Sequence, residues 1–474
     1  MIKNILLIIS LILLGLYGIS VVPTLPERMQ IAVTVSIIGA IVLAVIYPKI
    51  DFDFKFIIIV LFGYILAGKR FAYLSPFEPV FIGEIVLAVA FIMVLGRVLT
   101  KGLWGKLFDT PLHIAIWLLL IYGALHLYLD FPRYGIVAIK DSATIYYALF
   151  FIVIYLIFQN PSNFQRFEKL IPYILIAGLV AFFMLGVLPR LGINIREVVL
   201  FAHKDAYIGA AIGGFVGLYF YSLKHKSTVS LIWLIVFTIL LTISAPTSII
   251  FALIISILMM IFIAKQYHLC FLAIGGLAIA SIAIAIILAS GGDLATRLLT
   301  EFDSMNLAEI NKASFKGSTS GWRLAWWSAI WDETMATSPL WGLGFGADLG
   351  SEFTLRYYGG AAGEFGNQAF GAARYPHNVL FTMVGRLGLI GMVLFLLYIT
   401  MLLRCLFKFC NIYCRGNIKN IDIKNIGVAC FVGAGIANAF VQCTYEAPYA
   451  AIPHWIMVAY IAVKVKNYKK TINH

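Results

Sequence analysis

The chain has 474 residues, of which 62% are hydrophobic and 12% charged, and its net charge is +13. An ordinary globular chain carries about 25% charged residues, so soluble domains are excluded for want of polar surface. No basic run interleaved with aromatics occurs in a polar segment, so nucleic acid is not a partner; the charge instead fits the excess of Lys and Arg on the cytosolic side of membrane proteins.

Apolar runs of roughly 15–25 residues recur from end to end, long enough to cross a ~30 Å hydrocarbon core. Such spans must be helices, because lipid offers no partner to an unpaired backbone group. In chain order the predicted spans are 4–22, 31–47, 55–68, 79–96, 111–128, 143–158, 170–189, 206–222, 229–243, 247–264, 268–289, 377–403, 424–443 and 448–465. The first lacks a small-residue cleavage site and reads as a retained span. The third and ninth are short enough to be tilted, re-entrant or merged with a neighbour. The expected fold is an all-α integral membrane protein of about 12–14 transmembrane helices with one large outward-facing helical loop. An N-terminal bundle (1–289), the loop (290–376) and C-terminal helices (377–474) would form one integrated membrane domain.

With the N-terminus inside and spans alternating, the inner segments hold 20 of the 35 basic residues and the short outer loops hold 8. This bias predicts both termini in the cytosol and the 290–376 segment outside. Cys405, Cys410 and Cys414 then fall on the reducing side, and with Cys270, Cys430 and Cys443 they match no zinc spacing. All six read as inert thiols.

The 290–376 segment is too long to be a plain connection. It holds Trp322, Trp326, Trp327, Trp331 and Trp341 and one clear helix, with Ser320 as a cap, Gly321 in the first turn and Pro339 barring continuation past Ser338. Arg323 lies near the start of that helix, and Trp326 and Trp327, three and four residues on, share its face. A guanidinium there suits phosphate oxygens, and a helix N-terminus favours anions; an interfacial anchor arginine is the plainer alternative. Pro339-Leu-Trp-Gly-Leu-Gly-Phe-Gly346 follows, and its alternating glycines let backbone approach a ligand or another helix. His377-Asn378 stands where the loop re-enters the membrane. Histidine can take a proton from a hydroxyl, with Asn378 to orient it, or can be a simple interfacial residue. Arg386 lies roughly 13 Å deeper in the same span, facing the bundle interior or a wet cavity or pairing with Glu84. Lys140-Asp141, Arg190, Arg196-Glu197, His203-Lys204-Asp205 and Glu446 read singly as solvated loop charges and together make the outer face able to hold an anion. The loop carries no Asp-x-Asp motif, so no metal is implied.

The ordered set Gly321-Trp-Arg323, Trp326, Pro339 to Gly346, His377-Asn378 and Gly385-x-x-Gly388-Leu-Ile-Gly391 resembles the O-antigen ligase/O-antigen polymerase superfamily over roughly residues 206–400. Gly83-Glu84 and Lys140-Asp141-Ser142 resemble weaker features of it. The resemblance implies a metal-independent GT-C-type glycosyltransferase without a cofactor, in the bacterial inner membrane. It would move glycan from undecaprenyl diphosphate to an acceptor hydroxyl on the periplasmic face. Arg323 would bind the diphosphate and His377 would activate the acceptor. Many members carry Ser-Arg where this chain has Ser244-Ala245, and Lys204, Arg297 or Arg386 would have to replace that arginine. Trp326, Trp327, Asn378 and Lys140 complete the expected substrate-binding set. Polymerisation of O-antigen or exopolysaccharide repeats is the leading expectation, with a chain-length regulator protein as a partner. Ligation of finished glycan to lipid A-core is the alternative within the family. A lipid-linked oligosaccharide flippase is the alternative outside it, weakened by the absence of an internal repeat and the scarcity of acids within spans.

Overall fold

A computed structural model describes residues 52–72, 81–184, 207–228, 247–266, 319–350, 376–416 and 419–472. The predicted spans 4–22, 31–47, 229–243 and 268–289, with Lys204, Arg297 and Ala245, lie outside these residues. The described elements are helices and turns. They are α1 (Phe52–Ala72), α2 (Ile82–Lys101), α3 (Pro111–Tyr134), α4 (Ile136–Asp141), α5 (Ala143–Tyr146), α6 (Leu149–Ile157), α7 (Pro161–Phe182), α8 (Ile208–His225), α9 (Thr247–Phe262), α10 (Thr319–Thr337), α11 (Val379–Phe409), α12 (Ile423–Ala439) and α13 (Pro448–Ile472). The third predicted span is longer than its apolar run suggested, because α1 extends through a non-helical Gly68. The sixth is broken, with the 136–146 and 149–157 stretches meeting at 48°.

The protein is an all-α integral membrane protein. Among the described residues, Ile82–Lys101, Pro111–Tyr134 and Val379–Cys414 are each long and apolar enough to cross a bilayer. Their outward faces fit lipid: along α3, Ile114, Leu118, Ile121 and Leu125 form one exposed apolar stripe at helical spacing. The interior is packed through small residues. A Cβ on Gly178 of α7 would strike the backbone of Ala210 in α8, at 2.5 Å, and Gly214 of α8 leaves the same narrow space beside Leu175. Such close approach is how membrane helices associate without a hydrophobic driving force between them.

The feature that positions the site is a break in α11. Gly388 has φ 67° and ψ −166°, so the helix ladder is interrupted there. The 339–346 run supplies the missing partners. Leu343 and Gly344 N–H groups donate to the carbonyls of Gly385 and Arg386, at 2.7 and 3.1 Å. Leu389 N–H donates back to Pro339 O at 2.9 Å, and the Tyr122 hydroxyl donates to Leu387 O at 3.1 Å. Irregular backbone at membrane depth is tolerated only where protein satisfies it in this way. The glycines are therefore a clamp against another helix. A Cβ on Gly342, which has φ 78°, would lie 2.5 Å from Gly388 N. Gly342→Ala is expected to lower stability by ~1–3 kcal/mol from backbone strain alone. The melting temperature of the solubilised protein should fall, while Gly96→Ala, inside α2 where a Cβ meets nothing within 4 Å, should not lower it.

Candidate active site

α10 is seated by its indoles. Trp326 Nε1 donates to Leu349 O at 2.8 Å, and the ring packs with Ile330 and Leu349 in a small buried cluster. Trp327 Nε1 donates to Pro376 O at 2.6 Å, and its ring stacks on Phe381 with centroids 5.3 Å apart. The two side chains thus diverge. Trp326 is 1% exposed and leaves no room for a sugar ring. Trp327 anchors the residue just before His377.

Asn378 is the N-cap of α11: its side-chain oxygen accepts from Leu380 N–H at 2.9 Å. It does not orient His377, because capping satisfies an orphan donor of the helix and takes the side chain with it. His377 has φ 55°, a left-handed backbone rare outside glycine. Such strain is kept where the surroundings hold it, and functional sites are where it concentrates. The turn brings imidazole Nδ1 to 3.0 Å from the Cys443 Sγ. Cys443 is on the short connector, residues 440–447, between α12 and α13. Arg323 reaches the same connector: its Nη1 donates to Val441 O at 3.2 Å. Two residues far apart in sequence are thereby brought to one segment. That segment is itself fixed, since Gln442 and Ala447 N–H groups donate to Asn438 O and Cys443 O, and Asn438 Nδ2 to Thr444 Oγ1 at 2.9 Å.

Arg386 is 2% exposed. Its Nη2 lies 2.9 Å from Asp141 Oδ2, and its Nη1 donates to the carbonyls of Gly344 and Ala347. The partner is Asp141 of α4 and not Glu84, whose carboxylate accepts from Tyr146, Tyr147 and the Phe81 N–H. Asp141 Oδ2 also accepts from Gly346 N–H at 2.9 Å, and Asp130 Oδ2 from Phe345 N–H at 2.7 Å. Lys140, by contrast, is exposed. Asp141 and Glu446 are not solvated loop charges, being 2% and 3% exposed. Glu446 accepts from the Thr382 hydroxyl. It belongs to the connector and not to a span. Burial pushes its carboxyl up to about 7, tempered by the hydrogen bond from Thr382, by Cys443 and by the charge of Arg386, while Asp141 adds to the rise.

Sequence reasoning placed Arg323, His377 and Arg386 in one neighbourhood and missed Asp141, Cys443 and Glu446. A signal for Glu446 was present. It is the sole Asp, Glu, Lys or Arg between Lys424 and Lys464, in an otherwise uncharged stretch. A carboxyl that is 3% exposed has been kept from water at a cost, which makes it a functional candidate. Chemically, the arrangement offers an imidazole with one nitrogen engaged and a cation near a helix N-terminus.

Residues 230–396 match a protein-family model described as O-antigen ligase. The match takes in α10, the glycine clamp, His377 and Arg386, covers less than half of the chain, and stops before the 440–447 connector. No curated protein matches the sequence.

Proposed function

We propose that this chain, whose residues 230–396 match the O-antigen ligase family, transfers glycan from undecaprenyl diphosphate to an acceptor hydroxyl on the periplasmic face of the inner membrane, polymerising saccharide repeats. The family match supports a membrane glycan ligase or polymerase. The observation that carries the reading is the convergence of Arg323 and His377 on one connector. His377 takes the acceptor proton through Nε2 while Nδ1 stays on Cys443. The acceptor oxygen bonds to the anomeric carbon as that carbon's bond to the diphosphate breaks. Arg323 stabilises the charge that collects on the leaving phosphate, where a low-dielectric site makes such help strong. Both termini lie in the cytosol in this reading. Arg386, already held by Asp141, acts as scaffold and not as the missing phosphate-binding arginine.

The test is the length profile of glycan on the lipid carrier and at the cell surface in cells carrying Arg323→Ala or Arg323→Lys. Single repeats on the carrier are expected with Arg323→Ala, and Arg323→Lys should recover only part of the loss because ammonium lacks the bidentate fork. Long glycan stranded on the carrier would make the enzyme a ligase. Repeats trapped on the inner leaflet would make the protein a flippase and sink the reading.

A further inference from the structure

Behind His377 lies a file of groups with no assigned role. Cys443 Sγ is 3.0 Å from Nδ1, on the side of the imidazole away from Nε2. Three residues on along the connector, Glu446 Oε2 is buried with no hydrogen-bond partner, and the thiol is among the groups that act on this carboxyl. Its other oxygen accepts from Thr382, one helical turn into α11 from Asn378. The charged groups acting on Glu446 are Arg386 from α11 and Asp141 from α4. Arg323 from α10 fixes the connector at Val441. A buried carboxyl three residues from the thiol that touches a strained histidine can end a proton path.

We propose that Cys443 and Glu446 form a relay behind His377, so that Glu446 is the final store of the proton removed from the acceptor hydroxyl. The inference rests on His377 being the base. As Nε2 takes the acceptor proton, the Nδ1 proton passes to Cys443 Sγ and the thiol proton passes to the Glu446 carboxylate. The histidine ends neutral with its proton on the other nitrogen, the thiol is regenerated, and the negative charge lost at Glu446 equals that gained by the departing diphosphate. No oxidant or reductant is involved. Glu446 and Cys443 act through His377 and are positioning residues. A carboxyl that titrates near neutrality can accept this proton and release it again at working pH, since proton transfer is most effective between matched groups.

The relay can be read without any glycan substrate. The full chain in lipid nanodiscs, carrying 15N-labelled histidine, reports the titration of His377, whose signal is the one lost in His377→Gln. In the unaltered protein the His377 curve should show a second inflection near pH 7 as Glu446 ionises. Glu446→Gln should erase that inflection and lower the His377 midpoint by about half a pH unit or more, because a nearby negative charge favours imidazolium. Cys443→Ser keeps a hydroxyl in the file and should preserve the coupling; Cys443→Ala should remove it. An unchanged His377 curve in Glu446→Gln, with melting unchanged, overturns the relay. If Glu446→Gln does not fold, identical curves for Cys443→Ser and Cys443→Ala overturn it instead. Glycan transfer is scored separately: coupling that survives while His377→Ala still transfers glycan would leave the path standing and remove the catalytic reading of His377.

Discussion

Cells whose only copy of this protein carries His377→Ala should make it, insert it and lose long glycan, with transfer down by about 100-fold or more. The size follows from what is removed. A positioned general base contributes roughly two to four orders of magnitude, and alanine leaves no group at residue 377 that can take a proton. Stability should change little, since His377 is partly exposed and its backbone strain would persist or be relieved by glycine. His377→Gly and His377→Ala should therefore be equally inactive, although the glycine variant accommodates φ 55° without cost. The measurement is the ladder of carrier-linked and surface glycan, alongside the amount of inserted protein. A ladder of normal length and intensity would show that His377 is an interfacial residue.

Arg386→Met is expected to act on folding. Its partner Asp141 would remain buried at 2% exposure without its cation, and removing one member of a buried pair costs ~3–5 kcal/mol. The loss reaches further than one pair. Arg386 also holds the carbonyls of Gly344 and Ala347, so the clamp over the Gly388 break loses two more bonds. Arg386→Met combined with Asp141→Asn should recover part of the stability, because the uncompensated charge is gone. Thermal melts of the three variants in one lipid environment test this. If Arg386→Met melts like the unaltered protein while transfer falls, the guanidinium serves the lipid diphosphate and not the scaffold.

The sequence revealed those parts whose signals are local. Pro339 ends the loop helix where expected, and its observed limits are Thr319–Thr337, so Ser320, read as its cap, lies inside its first turn. The later spans were visible as apolar runs, though the break at Gly388 was not, since nothing in Gly385 to Gly391 says which glycine takes a positive φ. The acids were misread for a different reason. Asp141 sits beside exposed Lys140, so the dipeptide looks like a solvated pair, yet a helix turns adjacent residues to different faces. Its true partner, Arg386, is far along the chain. Cys443 was placed among inert thiols because thiol chemistry depends on neighbours that only folding supplies.

The clamp between residues 339–346 and the broken stretch of α11 bears on how this protein could be recombined with other helical membrane proteins. Leu343, Gly344, Leu389 and their acceptors are backbone groups, so the join has no sequence code that a designer could match by swapping side chains. Its specificity is carried by shape: glycine facing glycine, with Asp130 and Asp141 closing the far side. A chimera that replaces residues 339–346 alone must still set backbone donors against the carbonyls freed at the Gly388 break, or leave them unpaired. The smallest exchangeable cassette therefore runs from α10 through the Gly388 break, and the ends of α3 and α4 must travel with it.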